Sequence, residues 1–352
     1  MQVGLLDTFA RPLRTRGWVA WALSAALLAL YADLYFTAHL DVPARALGMP
    51  SRWTLYATAY TAAMSLGAVA ALRRHRGNRH FQLRAVVNVG VQVVFAWALP
   101  WALAATGRPE VYLSYFWPLS WDRLFPGSLA AMPAAAAWWA GVGSLLALPW
   151  LARRYGKRVY CSWICGCGGL AETWGDPWRH LADPGVRAWR VERWSVHGVL
   201  VAVVIVTGLQ HAAVWAPAPA VVAAADATRG AYGFAVGAVF SGVLGVALYP
   251  LMGTRVWCRF GCPMAALLGL AQKQGRFRVA VQPGACIACG NCSTYCEMGI
   301  DVRALAMRDQ DVRRAACVGC GVCAHVCPRG VLRLTTDEGG GGAPAGWTLD
   351  LG

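Results

Sequence analysis

Six long apolar stretches dominate the sequence and restrict the folds that it can adopt. Each is about 18–23 residues long, which is enough for an α-helix to cross the hydrocarbon core of a bilayer. Backbone amides find no water in lipid, so such stretches must form helices. We therefore predict an α-helical integral membrane protein with about six transmembrane helices, at Trp18–Thr37, Thr54–Leu72, Ala85–Ala105, Leu129–Leu151, Val196–Val214 and Ala231–Met252.

Positive charge is divided unevenly among the segments that join these stretches. If the N-terminus lies inside, the inner segments hold 27 Lys and Arg residues and the outer loops hold only five. The densest inner run extends from Arg73 to Arg76. Because Lys and Arg accumulate on the cytoplasmic side of membrane proteins, we expect both termini and all cysteines on the cytoplasmic face of a bacterial inner membrane.

The composition excludes several other classes of protein. Charged residues are 14% of the chain, against about 25% in soluble domains. The net charge of +15 suits inner segments that lie next to anionic membrane lipid, so we expect no nucleic-acid partner. The 13 cysteines all follow position 160 of a long apolar chain, unlike those of a short secreted disulfide scaffold. Phosphate-binding loops, nucleophile elbows and zinc-protease motifs are absent from the sequence.

Eight cysteines form two runs near the C-terminal end, and in each run three closely spaced cysteines precede a fourth. The runs repeat with an offset of 31 residues, and two glycine pairs, 290/321 and 299/330, repeat with them. Bacterial proteins with two [4Fe–4S] clusters use this spacing, and the last cysteine of each run binds the other cluster. We therefore predict one cluster on Cys286, Cys289, Cys292 and Cys327, and another on Cys317, Cys320, Cys323 and Cys296.

Structural zinc is the alternative for such cysteines, but a zinc ion needs only four ligands, and eight cysteines in two repeated runs favour clusters. One departure from the pattern is Glu297, which follows Cys296 where the second run has Pro328. The composition becomes polar after Gln274. We therefore expect a transmembrane domain over residues 1–274, a small α+β ferredoxin-like domain over 275–335, and a flexible tail over 336–352.

Two further cysteine pairs lie at the predicted inner ends of two spans. Cys161 and Cys165 follow the fourth span, and Cys258 and Cys262 follow the sixth, with a constant offset of 97 residues. Thiols four residues apart on a helix share one face, so the pairs could form one site at 161–167 and 258–263, with Cys167 as a fifth thiol. Three interpretations remain open: a third iron–sulfur site, a copper or thiol–disulfide redox site, or buried cysteines without a redox role.

The combination of six spans, two membrane-proximal Cys-x3-Cys motifs and a C-terminal double run resembles the NapH/NosR/CcoG-type membrane polyferredoxins, to which the MauN type is similar. The resemblance extends from Leu129 onward. Cys258, Cys262 and Pro263 match the family motif in full, whereas Gly166 stands where the first motif should have proline. The resemblance implies electron transfer in nitrate or nitrous-oxide respiration, or in copper-oxidase assembly. No outer loop can hold the flavin-binding domain of the NosR type, so the NapH and CcoG branches are the closer comparison.

A weaker candidate site lies at the outer end of the first span. A charged residue inside a membrane is costly and is a functional candidate by default, so Asp33 and His39 form a possible quinol site. The simpler interpretation is that Asp33 bonds to Asn88 or Gln92 on the third span.

Histidines in the fifth span form another weak candidate. His197 and His211 are about four helical turns apart, as the ligands of two stacked haems would be, and His39 and His80 are the available partners. We favour ordinary histidines near the ends of a span over haem.

These patterns predict a membrane-bound iron–sulfur electron-transfer protein. It would pass single electrons between a quinol or cytoplasmic donor and a respiratory or maturation partner, and its cofactors would carry the chemistry in place of catalytic residues. The alternative is a copper or disulfide reductase, or an assembly factor, that acts through the two Cys-x3-Cys pairs.

Overall fold

The part of the chain that the structure describes is mostly helical, and six of the helices in it are long and apolar enough to cross a membrane. The computed structural model describes residues 17–108 and 111–336, so nearly all of the predicted tail lies outside the described residues. The long helices are α1 (Trp18–Thr37), α2 (Arg52–Arg73), α3 (Arg79–Ala105), α4 (Ala134–Tyr155), α5 (Val186–Trp215) and α6 (Pro219–Ala247).

All six predicted spans form helices, and α1 has the predicted bounds. Two helices begin well before the predicted spans. Helix α5 begins at Val186, because Pro184 and Gly185 end the preceding segment and the charged stretch that follows is helical. Helix α6 begins at Pro219, and proline is well suited to the first turn of a helix because it lacks an N–H that would need a partner there. Apolar content thus located the lipid-compatible part of each helix but not its start.

Four of the long helices contain a π-helical stretch, in which the turn is widened by one residue. These stretches are Asp33–Thr37, Gln92–Ala98, Gly143–Ala147 and Gly233–Leu244. Such widened turns often mark functional positions. The stretch in α3 begins at Gln92, a fully buried amide whose contact is described below.

The segments after α4 and α6 repeat one local arrangement. Each has a glycine with positive φ, then a helix of about one turn, then a second helix. After α4 the helices are Arg158–Cys161 and Gly166–Glu172, and a 3₁₀ turn at Asp176–Leu181 follows. After α6, a short helix at Tyr249–Met252 precedes the glycine, and the repeated helices are Val256–Phe260 and Pro263–Lys273.

The C-terminal region is built on a two-stranded antiparallel sheet. Strand β1 (Arg278–Val281) pairs with β2 (Leu332–Thr335), so that Arg278 lies opposite Thr335. Three short helices lie between the strands, at Asn291–Thr294, Val302–Ala306 and Val322–His325. The arrangement agrees with the predicted α+β content.

One buried apolar cluster joins the C-terminal region to the helical domain. It contains the C-terminal end of α4, both Cys-x3-Cys segments and the interior of the sheet region, represented by Leu148, Tyr160, Trp257, Val279 and Val318. The C-terminal region is therefore packed directly against the end of α4 and against both Cys-x3-Cys segments.

Candidate metal centres

The four cysteines predicted for the first cluster surround one cavity. Cys286, Cys289 and Cys292 line it from the first run, and Cys327 lines it from the second. The fourth cysteine of the first run, Cys296, does not line this cavity. The cavity thus brings together three thiols of one loop and one of the other run, a set that would suit a [4Fe–4S] cluster.

The second predicted set also lies close together. The thiol of Cys323 is near those of Cys320, Cys317 and Cys296, and near that of Cys292 from the first set. Burial raises the pKa of Cys320 to about 12, so free thiolates are disfavoured here unless positive charge or a metal compensates them.

The repeated glycines explain how each run turns. Gly290 and Gly321 have φ of +83° and +78°, and each directly precedes a one-turn helix that carries the third cysteine of its run. Left-handed backbone of this kind favours glycine. A hydrogen bond from a backbone N–H to the fourth cysteine also repeats in the two runs. Ile300 N–H donates to Cys296 Sγ and Val331 N–H donates to Cys327 Sγ, both at 3.4 Å.

The two membrane-proximal cysteine pairs come together in one buried group. Cys161, Cys165, Cys258 and Cys262 are each 4–6% exposed. The thiol of Cys262 has Cys258, Cys161 and Cys165 as electrostatic neighbours, and Cys167 lies close to Cys165. The duplicated segments therefore contribute one pair each to a common site.

Around the two cysteine pairs, the backbone geometry repeats as well as the sequence. Cys165 N–H donates to Tyr160 O at 2.8 Å, and Cys262 N–H donates to Trp257 O at 2.9 Å. In both cases the second cysteine directly precedes a helix. Each motif is thus a turn followed directly by the first residue of a helix, and not the continuous helix that the spacing predicted.

Cys165 and Cys167 differ in acidity because they interact with each other. The thiol of Cys167 donates to Cys165, and together with the N–H groups of Gly168 and Cys167 it lowers the pKa of Cys165 to about 7, although burial opposes this. Burial raises the pKa of Cys161 to about 12. Cys165 is therefore the most acidic of these thiols, and Cys167 acts as its hydrogen-bond donor.

Three polar side chains from the long helices hold the first cysteine loop. Tyr60 donates to Gly166 O at 2.7 Å, Asn88 donates to Cys165 O at 3.1 Å, and Gln92 donates to Ile164 O at 2.6 Å. The expected contact of Asn88 or Gln92 with Asp33 is therefore wrong. Asn88 and Gln92 lie one helical turn apart on α3, and both donate to the cysteine loop. Sequence alone could not identify this distant partner.

A buried ion network lies beside the membrane-proximal thiols. Glu172 pairs with Arg84 at 2.7 Å and with Arg255 at 3.0 Å, and Arg255 pairs with Glu297 at 3.2 Å. Glu297 also pairs with Arg179 at 2.9 Å. All five residues are at most 3% exposed. The sequence reasoning missed this network, and its one visible signal was the glutamate at position 297.

The charges of this network compensate one another. Burial by itself raises the pKa of Glu297, but Arg179, Arg255 and Arg84 outweigh it and hold that pKa below the ordinary value. Glu297 is therefore ionised, and three arginines oppose two glutamates. Paired burial of this kind avoids the large cost of an isolated buried charge.

The network and its neighbours also contact the second cysteine set. Arg179 Nη1 lies 3.7 Å from Cys320 Sγ, and Arg84 donates to Cys320 O. Ser162, inside the first Cys-x3-Cys motif, donates to Val318 O at 2.8 Å. Gln272 donates to Cys317 O at 2.9 Å. The loop that carries Cys317 and Cys320 is thus bonded directly to the membrane-proximal site.

The weaker candidates make local contacts. Asp33 accepts hydrogen bonds from Thr37, from His39 Nδ1 at 2.7 Å and from Leu40 N–H at 3.1 Å, all within seven residues. His211 Nε2 lies 2.9 Å from Leu124 O, and His197 Nδ1 lies 2.7 Å from Arg193 O. These contacts stabilise turns and helix packing, and none involves a cysteine site.

The donor set fits clusters better than single metal ions. None of the thirteen cysteines is in a disulfide. Within residues 17–108 and 111–336, no group of three or more His, Cys, Asp or Glu side chains converges on a point where one ion could bind. Each iron of a cubane takes one thiolate, so the thiolates of a cluster surround a volume and need not converge.

Comparison with known proteins agrees with this chemistry. A family model described as "4Fe-4S dicluster domain" matches residues 285–332 and so includes all eight cysteines of the two runs. A model described as "4Fe-4S binding domain" matches twice, at 135–192 and 235–281, and each match includes one membrane-proximal pair. The chain therefore carries ferredoxin-type 4Fe-4S domains.

Among characterised sequences, the chain is similar to YccM of Escherichia coli (strain K12), whose name provisionally assigns it to electron transport. The two are 28% identical over 162 residues, which is 42% of this chain and 44% of that relative. The match thus spans less than half the length of the relative. No solved structure matches the chain. The ferredoxin-type domains and this relative support electron transfer in general.

Proposed function

We propose that the chain is a membrane-embedded electron-transfer protein with three [4Fe–4S] sites. The observation that carries this proposal is the convergence of Cys161, Cys165, Cys258 and Cys262 in one buried group that is bonded to the loop of Cys317 and Cys320. The two matches to the 4Fe-4S binding domain, one on each pair, support it. Clusters bound at these sites would supply low-potential one-electron transfer.

The ligand sets follow from the grouping of the thiols. Cys286, Cys289, Cys292 and Cys327 would hold the first cluster, and Cys317, Cys320, Cys323 and Cys296 the second. The two Cys-x3-Cys pairs would hold a third, and Cys167 would donate a hydrogen bond to Cys165 instead of binding iron.

The three proposed sites differ in exposure and in their neighbours. The first set is the most accessible, since Cys289 is exposed and its neighbour Ile287 is 55% exposed. The second set is next to the ion network through Arg179. The two Cys-x3-Cys pairs are 4–6% exposed and lie beside that network, since Arg255 donates to Cys161 O. A soluble redox partner would therefore reach the first set, and a membrane partner would lie beyond the third.

The chain would span the inner membrane of a bacterium as the charge distribution predicts. The six apolar helices support this placement, and the cysteine sites would then face the cytoplasm. Its electron partners would be a quinol or cytoplasmic donor and a respiratory or maturation protein, as in the polyferredoxins of the NapH and CcoG branches that the sequence resembles.

Counting electrons distinguishes this proposal from a thiol or copper reductase. The full chain, purified without oxygen, is titrated with dithionite while its EPR spectrum is recorded. Three clusters take up about three electrons, each with a paramagnetic signal. Two clusters and a disulfide take up two electrons with signals and a further pair without one. The second result would replace the proposed function with thiol chemistry at the Cys-x3-Cys pairs.

A further inference from the structure

A basic cleft opens at the junction of α4 and the C-terminal region. Its volume is about 470 Å³, and it takes no part in the cysteine sites. Five arginines line it together with one tryptophan and the turn before β1: Arg153, Arg154, Arg276, Arg278, Arg313, Trp150, Gln274 and Gly275.

Residues in the last turns of α4 form one side of the cleft. Trp150, Arg153 and Arg154 are three and four residues apart in the last turns of α4, so they share one face. Trp150 is 63% exposed. Tryptophan and arginine at the end of an apolar helix are typical of the level of the lipid headgroups. The mouth of the cleft therefore lies where phospholipid headgroups would be.

The opposite side is fixed closely against the helix. Arg276 N–H donates to Arg153 O at 3.3 Å. A Cβ on Gly275 would lie 1.9 Å from the same carbonyl oxygen, so only glycine allows this approach. The cleft is thus a built feature of the fold rather than a gap between two loosely placed segments.

The charge in the cleft is only partly compensated. Arg278 pairs with Asp311 at 2.7 Å. Within the part of the chain that the structure describes, Arg153, Arg154 and Arg313 make no ion pair with an acidic side chain. Arginine forks match phosphate oxygens well. We propose that this cleft binds the phosphate of an anionic phospholipid headgroup.

This inference rests on the membrane placement proposed above but not on electron transfer. It is tested on the full chain in detergent by native mass spectrometry, with phosphatidylglycerol or phosphatidylcholine of the same acyl chains as the probe. The variant is Arg153→Gln/Arg313→Gln. The control Arg45→Gln/Arg108→Gln removes the same charge from exposed positions in the predicted outer loops.

We expect phosphatidylglycerol to bind more tightly than phosphatidylcholine, and the cleft variant to weaken its binding by roughly thirtyfold, since each of the two arginines contributes to the attraction of anionic lipid. The control should bind as the wild type does. Equal binding of the two lipids, or unchanged binding by the cleft variant, would overturn the proposal. So would displacement of the lipid by millimolar inorganic phosphate, which would indicate a site for free anions. None of these readouts depends on cluster reduction, so failure here leaves the electron count above as a separate test.

Discussion

Glu297 shows how one residue connects the two kinds of cysteine site. It follows Cys296, a predicted ligand of the second cluster, and it occupies the place where the second run has proline. Its two oxygens pair with Arg179 and Arg255, and Arg255 in turn donates to Cys161 O at 3.0 Å. A residue that departs from the sequence pattern is thus the bridge between the C-terminal region and the membrane-proximal motif.

Replacing Glu297 by alanine should destabilise the protein strongly. The change leaves Arg179 and Arg255 buried without one of their counter-charges, and breaking a buried ion pair in this way costs about 3–5 kcal/mol. We expect a clearly lower midpoint of thermal unfolding, followed by tryptophan fluorescence. The matched control Asp122→Ala removes an exposed carboxylate and should change the midpoint little. Equal midpoints for Glu297→Ala and the control would show that the network is not structural.

Arg179 should set the reduction potential of the second cluster. Its guanidinium is 3.7 Å from Cys320 Sγ, and a hydrogen bond or positive charge at a ligand sulfur favours the reduced cluster. The variant Arg179→Gln should therefore lower one midpoint potential by on the order of 60 mV, which is a tenfold change for a one-electron couple. A redox titration followed by EPR measures this shift.

The control for Arg179 is Arg303→Gln. Arg303 lines the cavity of the first cysteine set but is exposed, so solvent screens its charge. We expect a smaller shift, confined to the other signal. If both variants moved the same signal, the assignment of Arg179 to the second cluster would be wrong.

Among the structural elements, the repeated turns before the Cys-x3-Cys motifs place the two thiol pairs. Gly156 and Gly253 occupy equivalent positions, 97 residues apart, with φ of +86° and +96° and ψ of 158° and 170°. This backbone region is nearly restricted to glycine. A Cβ at Gly253 would also lie 2.9 Å from Ala182 N. Each turn therefore depends on its glycine.

The substitution Gly253→Ala tests that dependence. Strain in this backbone region costs about 1–3 kcal/mol, so we expect a lower midpoint of thermal unfolding and less iron bound per chain. The control is Gly198→Ala in α5, where no atom would lie within 4 Å of the new Cβ. Alanine is favoured over glycine inside a helix by about 1 kcal/mol, so the control should match or exceed the wild type. A Gly253→Ala protein with wild-type midpoint and iron content would contradict the role of the turn.

Sequence periodicity and composition predicted the elements better than their contacts. All six apolar stretches form helices, because lipid-compatible length is a local property of the chain. The predictions missed the starts of α5 and α6. The charged turn after Val186 and the segment after Pro219 are helical, but neither belongs to the apolar stretch from which the span was predicted. The partners of Asn88 and Gln92 were also missed, because spacing shows that two amides share a face but not what that face meets.

At the scale of the whole molecule, the C-terminal region is docked on the helical domain by hydrogen bonds from Ser162, Arg84 and Gln272 to one cysteine loop. The cysteine spacing predicts two crossed ligand sets, and this assignment stays a prediction. The spacing could not predict this docking, since the contacts join residues more than a hundred positions apart in two of the three cases. Among the buried charges that accompany them, only Glu297 has a local sequence signal, since it stands where the second run has Pro328.

The orientation in the membrane is the prediction that belongs to the whole chain. Alkaline phosphatase is active only outside the cytoplasm. A fusion after Ala216, in the predicted outer loop between α5 and α6, should be active, and a fusion after Gly352 should be inactive, because 27 of the 32 Lys and Arg residues lie in the predicted inner segments. The reverse pattern would place the cysteine sites on the other side of the membrane.

The most direct test of a third cluster is the iron and acid-labile sulfide content of the full chain purified without oxygen. We expect about twelve irons per wild-type chain, because three cubanes hold four each. The variant Cys161→Ser/Cys258→Ser removes one ligand from each membrane-proximal pair and should retain about eight. A wild-type value near eight that the variant leaves unchanged would mean that these thiols hold no cluster.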